Sequence, residues 1–161
     1  MTIYFFTADE KPHGCFCNFS LHGFELDGLW WHTSEHYYQA QKFSGTAHAE
    51  KIRLAKTPAD SALLGHAHRH RNDWKQIKYD VMHLAVLRKF QTHADIRKIL
   101  LATGDELIIQ KDIGDYYWGC GKDGSGKNYL GKVLMEVRGT LRCIGSNEMV
   151  LRKSENIIQI G

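Results

Sequence analysis

A chain of 161 residues, 43% hydrophobic and 24% charged, is long enough for one globular domain with a substantial core, and its balance is not that of a low-complexity protein. No apolar run approaches the ~20 residues of a membrane span. The opening "MTIYFFTADEKPHG" also lacks the basic-then-apolar order of a signal peptide, so a cytoplasmic protein with no membrane partner is expected. The net charge of +3, with ten histidines neutral, permits an anionic ligand without demanding one.

Residues 3–32 mix aromatics with turn residues ("KPHG", "LDG"), which predicts short strands and loops. Thr33 or Ser34 can cap a helix through "EHYYQAQKF". A second helix, "AHAEKIRLAK", should end before Pro58, and Thr57 can cap a short third one with Pro58 at its first position. Asn72 is the expected cap of a long helix through "DWKQIKYDVMHLAVLRKFQ". Its apolar residues Trp74, Ile77, Val81, Leu84, Ala85 and Leu87 recur at roughly helical spacing. "ADIRKILLAT" reads as a helix stopped by Gly104, and "ELIIQ" as a short strand. From Asn128 to about Leu141 a further helix carries one apolar stripe of Leu130, Val133, Leu134, Val137 and Leu141. The tail "MVLRKSENIIQIG" contains two short β-like runs. The expectation is a mainly α domain with a few short β-strands, an α+β fold.

Four groups of residues invite chemistry. At 100° per residue, Glu35, Tyr38, Gln39 and Lys42 share one face of the first helix, and His36, Tyr37, Ala40 and Phe43 the other. The second face reads as core. The first is either a solvated surface or a ligand-facing one: Glu35 and Lys42, about 10 Å apart along the axis at ~1.5 Å per residue, could touch two parts of one ligand. The run "HAHRHR" at 66–71 reads as a loop offering cationic groups such as Arg71 to an anion; without a nearby Cys or carboxylate cluster, no metal site is expected. The cysteines Cys15, Cys17, Cys120 and Cys143 form no C-x-x-C pair and read as free thiols in a reducing compartment. Trp118 sits in the glycine-flanked "GDYYWGCG", where an indole can serve as a stacking platform.

Residues 121–128, "GKDGSGKN", match a phosphate-binding P-loop until the last position, where Asn128 stands in place of Ser or Thr. The preceding "DIGDYYWGC" is polar and aromatic rather than a buried strand, which argues against a triphosphatase. Glycines, Lys127 and a helix start remain, and backbone N–H groups at such a start attract phosphate. A purely structural turn is the alternative.

Several long segments, in order, resemble the NADAR family, which includes the YbiA-like riboflavin-intermediate N-glycosidases. They are "HGCFCNF", "LDGLWWHTSEHYYQAQKF", "AKTPADSALLG", "RNDWKQIKYDVMHLAVLRKF", "LLATGDELI" and "DYYWGCGKDGSGKNYLGKVLMEVR". The resemblance covers about residues 4–142 and implies one NADAR-like domain over 1–142, with 143–161 an extension packing on it. It implies hydrolysis of a ribose C1–N bond without metal or cofactor. Two substrate classes come with it: ADP-ribose on guanine in nucleic acid, as in antitoxin or repair enzymes paired with an ADP-ribosyltransferase toxin, and phosphoribosyl-amino-pyrimidine intermediates of riboflavin synthesis. The first is the leading expectation; a non-catalytic ADP-ribose-binding module is the reading of another class.

By the same resemblance, Glu35, Lys42 and Asp115 are the catalytic candidates. Either Glu35 stabilises positive charge at C1 or activates water, or Lys42 forms a Schiff base with the opened sugar. Trp74 and Trp118 would hold the heterocycle or ribose. Asn18, Tyr38, Gln39, Arg71, Gly119, Gly121, Gly126, Lys127 and Asn128 complete the expected substrate-binding set. Two positions depart from the family pattern: Cys17 replaces a serine, and Gln110 stands where a glutamate is usual.

Overall fold

The computed structural model describes residues 1–158, with side chains described through residue 145. In chain order the elements are β1 (Thr2–Phe5), a 3-10 turn (His13–Phe16), β2 (Phe24–Leu26), β3 (Leu29–Trp31), α1 (Ser34–Gln41), α2 (Ala47–Arg53), α3 (Pro58–His66), α4 (Trp74–Thr92), α5 (Ala94–Ala102), β4 (Leu107–Gln110) and α6 (Tyr129–Ile158). Six helices with a few short strands make an α+β domain, as expected from the sequence. None of the described helices is long and apolar enough to cross a membrane.

The helix starts follow from local chemistry. Thr33 Oγ1 accepts from the His36 amide, Thr46 Oγ1 from Ala49 and Thr57 Oγ1 from Asp60, so three threonines satisfy amides that open helices cannot. Pro58 follows Thr57 at the first helical position. The cap of α4 differs from expectation: Asp73, not Asn72, occupies it, and its carboxylate is turned to Arg71 rather than to the helix amides. Between β2 and β3, Asp27 (φ 55°) and Gly28 (φ 75°) form a two-residue turn of the hairpin-favouring hand.

β1 and β4 pair in parallel, Thr2 to Leu107 through Phe5 to Gln110, so the N-terminus is tied to the strand that follows α5. Phe5 and Ile108 point inward, onto the stripe Leu130, Val133, Leu134, Val137 and Leu141, all buried as the sequence predicted. On α4 the buried face differs. Trp74, Met82, Ala85, Val86, Lys89 and Phe90 are buried, while Leu84 is exposed. The helix touches α1, α5, α6 and β2, and its apolar residues serve two core clusters, so one stripe could not be read from the chain.

The tail is corrected as far as residue 158; residues 159–161 lie outside the described residues. Residues 149–158 continue α6 rather than forming strands. Short apolar runs such as "MVL" fit either period, and no proline interrupts the helix. Whether the extension packs on the domain concerns side chains from 146 onward, which lie outside the described residues.

Candidate active site

α1 is buried on both faces, because α2, α3 and α4 surround it. The face carrying Glu35, Tyr38, Gln39 and Lys42 is therefore not a solvated surface. It forms the floor of a cavity of about 570 Å³. Glu35 and Lys42 are each 8% exposed. The opposing walls come from distant segments: Phe6, Thr7 and Ala8 after β1, Asn18 and Phe19 after the 3-10 turn, and Gln110, Asp112, Asp115 and Trp118 after β4. His66 closes the cavity from the end of α3.

Glu35 accepts a hydrogen bond at its Oε1 from Gln39 Nε2 (2.7 Å), one turn on. Burial pushes the Glu35 carboxyl above the ordinary range, while the Gln39 bond and the Lys42 and His66 charges pull the other way. Lys42 is the mirror case: burial lowers the affinity of its amine for a proton, and Glu35 opposes this. Two groups whose ordinary values stand far apart are thus drawn toward each other, a direction that favours proton exchange within the site.

Tyr38 sits between two indoles, 5.0 Å from the Trp74 ring and edge-on to Trp118 at 5.5 Å. Burial raises its hydroxyl well above the usual value, so it stays a neutral donor. Lys42 Nζ lies 5.6 Å from the Tyr38 ring centre. Asn18 steadies the start of α1: its backbone oxygen accepts from the Glu35 amide (3.3 Å) and its Oδ1 from Ser34 Oγ (2.9 Å). Asp115 uses Oδ1 to accept the amides of Tyr117 (2.8 Å) and Trp118 (2.7 Å), which sets Trp118 into the wall.

Two acceptors in this cavity wall, Gln39 Oε1 and Gln110 Oε1, are buried without a hydrogen-bond partner. The Gln39 amide lies hard against Gly65 of α3, where a Cβ would come within 2.0 Å of Oε1. Gly65 is what lets α3 close over the catalytic face.

Other expected site residues stand elsewhere. Trp74 is a core residue, 4% exposed, touching the cavity only through Tyr38. Arg71 is at the surface, paired with Asp73, and its amide donates to the Lys42 carbonyl (3.0 Å). The glycine–lysine loop requires a correction. Four of its amides are already bonded: Gly121 to Asp112, Gly126 to Cys120, Lys127 to Tyr116, Asn128 to Gly119, each to a backbone oxygen within 3.0 Å. Asn128, at φ 50°, clasps β4 by accepting from the Gln110 amide and donating to the Ile108 carbonyl, both at 2.9 Å. A Cβ on Gly126 would strike the Gly119 oxygen at 2.4 Å, and one on Gly119 would meet Asp112 and Asp115 within 2.9 Å. This is a close-packed structural turn, not an amide cradle for phosphate. Lys127 points to the rings of Tyr117 and Tyr129.

Sequence reasoning missed Phe6, Thr7, Ala8, Phe19, Met82 and Asp112 as lining residues. Phe6 (47% exposed) and Phe19 (39% exposed) are aromatics in N-terminal loops, and that position was the signal available. Among the described residues no cluster of three His, Cys, Asp or Glu side chains could hold a metal.

The NADAR domain matches residues 4–142. The chain is 50% identical over 147 residues to the N-glycosidase Npun_R5314 of Nostoc punctiforme, covering 88% of this chain and 94% of that protein. It is 40% identical over 139 residues to the N-glycosidase YbiA of Escherichia coli, covering 85% and 87%. Against the NMR structure of E. coli YbiA the TM-score is 0.83 at 38% identity, covering 90% of this chain and 87% of that one. A 39% identical relative, the riboflavin biosynthesis protein VVA0006 of Vibrio vulnificus, is matched over 87% of this chain but 38% of its own length. With a carboxylate and an amine buried in one cavity, and with the two N-glycosidases matched over most of their lengths, the chain belongs to the NADAR family and is a hydrolase acting on N-glycosyl bonds.

Proposed function

We propose that the cavity removes ADP-ribose from guanine bases carried on nucleic acid, by hydrolysis of the ribose C1–N bond. The observation that carries the chemistry is the burial of Glu35 and Lys42 on one face of α1, beneath Trp118. In one route Glu35 takes a proton from water as the water oxygen bonds to C1, and the C1–N electron pair leaves with the base nitrogen, which is protonated in turn. In the other, neutral Lys42 bonds to C1 of the opened sugar, the base nitrogen leaves with its electron pair, and water then hydrolyses the imine. Both routes use groups already facing the cavity. The preference for a large, phosphate-rich substrate rests on the wall at Asp115 and Trp118, which continues onto a lysine-bearing surface.

A second reading, hydrolysis of phosphoribosyl-amino-pyrimidine intermediates, is favoured by the name of the Vibrio relative. Both substrates place a ribose phosphate and an amino-heterocycle at the same bond. Base release from an ADP-ribosyl-guanine oligonucleotide and from the phosphoribosyl-amino-pyrimidine, measured side by side, separates them. Faster release from the oligonucleotide is expected; release from the pyrimidine alone overturns the first reading.

A further inference from the structure

We infer that the lysine–tyrosine surface adjoining Trp118 binds the phosphodiester backbone of the single-stranded nucleic acid whose modified base enters the cavity. This rests on the nucleic-acid reading above. Lys75 and Lys78 come from the first turns of α4, Lys127 from the loop before α6, and Lys132 from the first turn of α6. Lys78 Nζ lies 3.6 Å from the Tyr117 ring centre, Lys132 Nζ 4.8 Å from that of Tyr129, and Lys127 Nζ within 6 Å of both rings. A ring beneath an ammonium holds it in place without cancelling its charge.

The same rings join this surface to the cavity. Tyr79 lies parallel to Trp118, at 6.5 Å and 16°, and Tyr117 meets Trp118 edge-on at 4.7 Å. Trp118 itself lines the cavity, so one indole belongs to both. Lys78 feels the charges of Lys75 and Lys127 as well as that of Asp115 in the cavity wall.

Three lysines gathered on two tyrosine rings set this surface apart. Among the described residues, none of the four lysines takes part in a salt bridge. The neighbouring carboxylates are Asp115, which accepts the Tyr117 and Trp118 amides, Asp80, near Tyr117, and Glu136, which is engaged by the Tyr79 hydroxyl (2.9 Å) and His83 (3.5 Å). Lysine charges in excess of their neighbouring carboxylates are stabilised by a polyanion. Four cations on three segments exceed what one pyrophosphate uses, and cations interleaved with rings are how proteins track single strands. A base seated in an enclosed cavity must also have left its stack, so the strand reaching it is locally single.

The test uses the full chain and the variant Lys75→Glu/Lys132→Glu, both exposed positions, with melting temperature as the folding control. The first readout is fluorescence anisotropy of a short labelled, unmodified single-stranded oligonucleotide across salt concentrations. Wild type is expected to bind with an affinity that falls as salt rises, and the variant to bind roughly tenfold more weakly with a shallower salt slope. Equal binding by the two proteins, or no binding by wild type, overturns the inference. The second readout is kcat/KM on ADP-ribosyl-guanine within an oligonucleotide and on the ADP-ribosyl-guanosine monomer. The variant is expected to lose roughly tenfold on the first and to stay within about twofold on the second. An equal loss on both overturns the inference. If wild type cleaves neither while lysine-dependent strand binding persists, the substrate reading fails and the surface stands.

Discussion

Glu35 and Lys42 sit seven residues apart on α1, too far for an ion pair in a straight helix, yet each senses the other across a shared cavity. Burial raises the carboxyl and lowers the amine, so the pH range in which both are in working form is bounded by shifted values. If Glu35 acts as a base, turnover is lost as pH falls through a value above the ordinary glutamate range. If neutral Lys42 attacks C1, turnover rises through a value below the ordinary lysine range. The pH dependence of kcat/KM checks both limbs. We expect Glu35→Gln to lower kcat by about 100-fold or more with the melting temperature little changed; near-normal turnover would remove Glu35 from the chemistry. Borohydride added during turnover should leave a covalent adduct only on the Lys42 route, and Lys42→Ala should then abolish it. The identity of these residues was legible in "SEHYYQAQKF" because a separation of about two helical turns brings them to one face. That this face is buried was not legible, since its cover comes from residues 6–8, 18–19 and 110–118.

At the scale of elements, two contacts hold the catalytic face in register. Gly65 lets α3 approach Gln39, which in turn bonds Glu35. We expect Gly65→Ala to reduce kcat by about tenfold, since the added methyl must displace the Gln39 amide that orients the carboxylate. Unchanged kinetics would show that Gln39 can move without consequence. Asn128 fastens the 111–128 loop to β4 by two hydrogen bonds at a positive φ. Asn128→Ala leaves the Gln110 amide and the Ile108 carbonyl unpaired, and should cost about 2–3 kcal/mol in urea unfolding. A loss below about 0.5 kcal/mol would mean that solvent replaces both bonds. In the sequence this segment looked like a phosphate loop with one residue altered. Glycine spacing is shared by loops that present amides to a ligand and loops that spend them internally; only the partner oxygens of the 116–120 segment decide between them.

For the whole molecule, the most unusual core residue is Lys89, 1% exposed on α4, with Nζ donating to the Cys17 carbonyl (3.0 Å). Its neighbours Cys15 and Cys17 are pushed up by burial and stay neutral thiols, so they do not compensate the ammonium. Burial brings Lys89 down to about 8 from 10.5. Between these values the unfolded chain binds the extra proton, so stability rises with pH across that window, by about 3 kcal/mol in all. Urea unfolding from pH 7 to 10.5 should show the rise, and Lys89→Met should remove it; a rise that survives the substitution belongs to another group. The chain by itself determined the helices, their threonine caps, the apolar stripe of α6 and the facing of Glu35 with Lys42, because caps and periodicity are local properties of neighbouring residues. Tertiary structure alone decided that Trp74 is core, that Lys89 is buried and that the glycine loop is a clamp. Each of those outcomes depends on which distant segment supplies the contact, and a linear pattern holds no record of that.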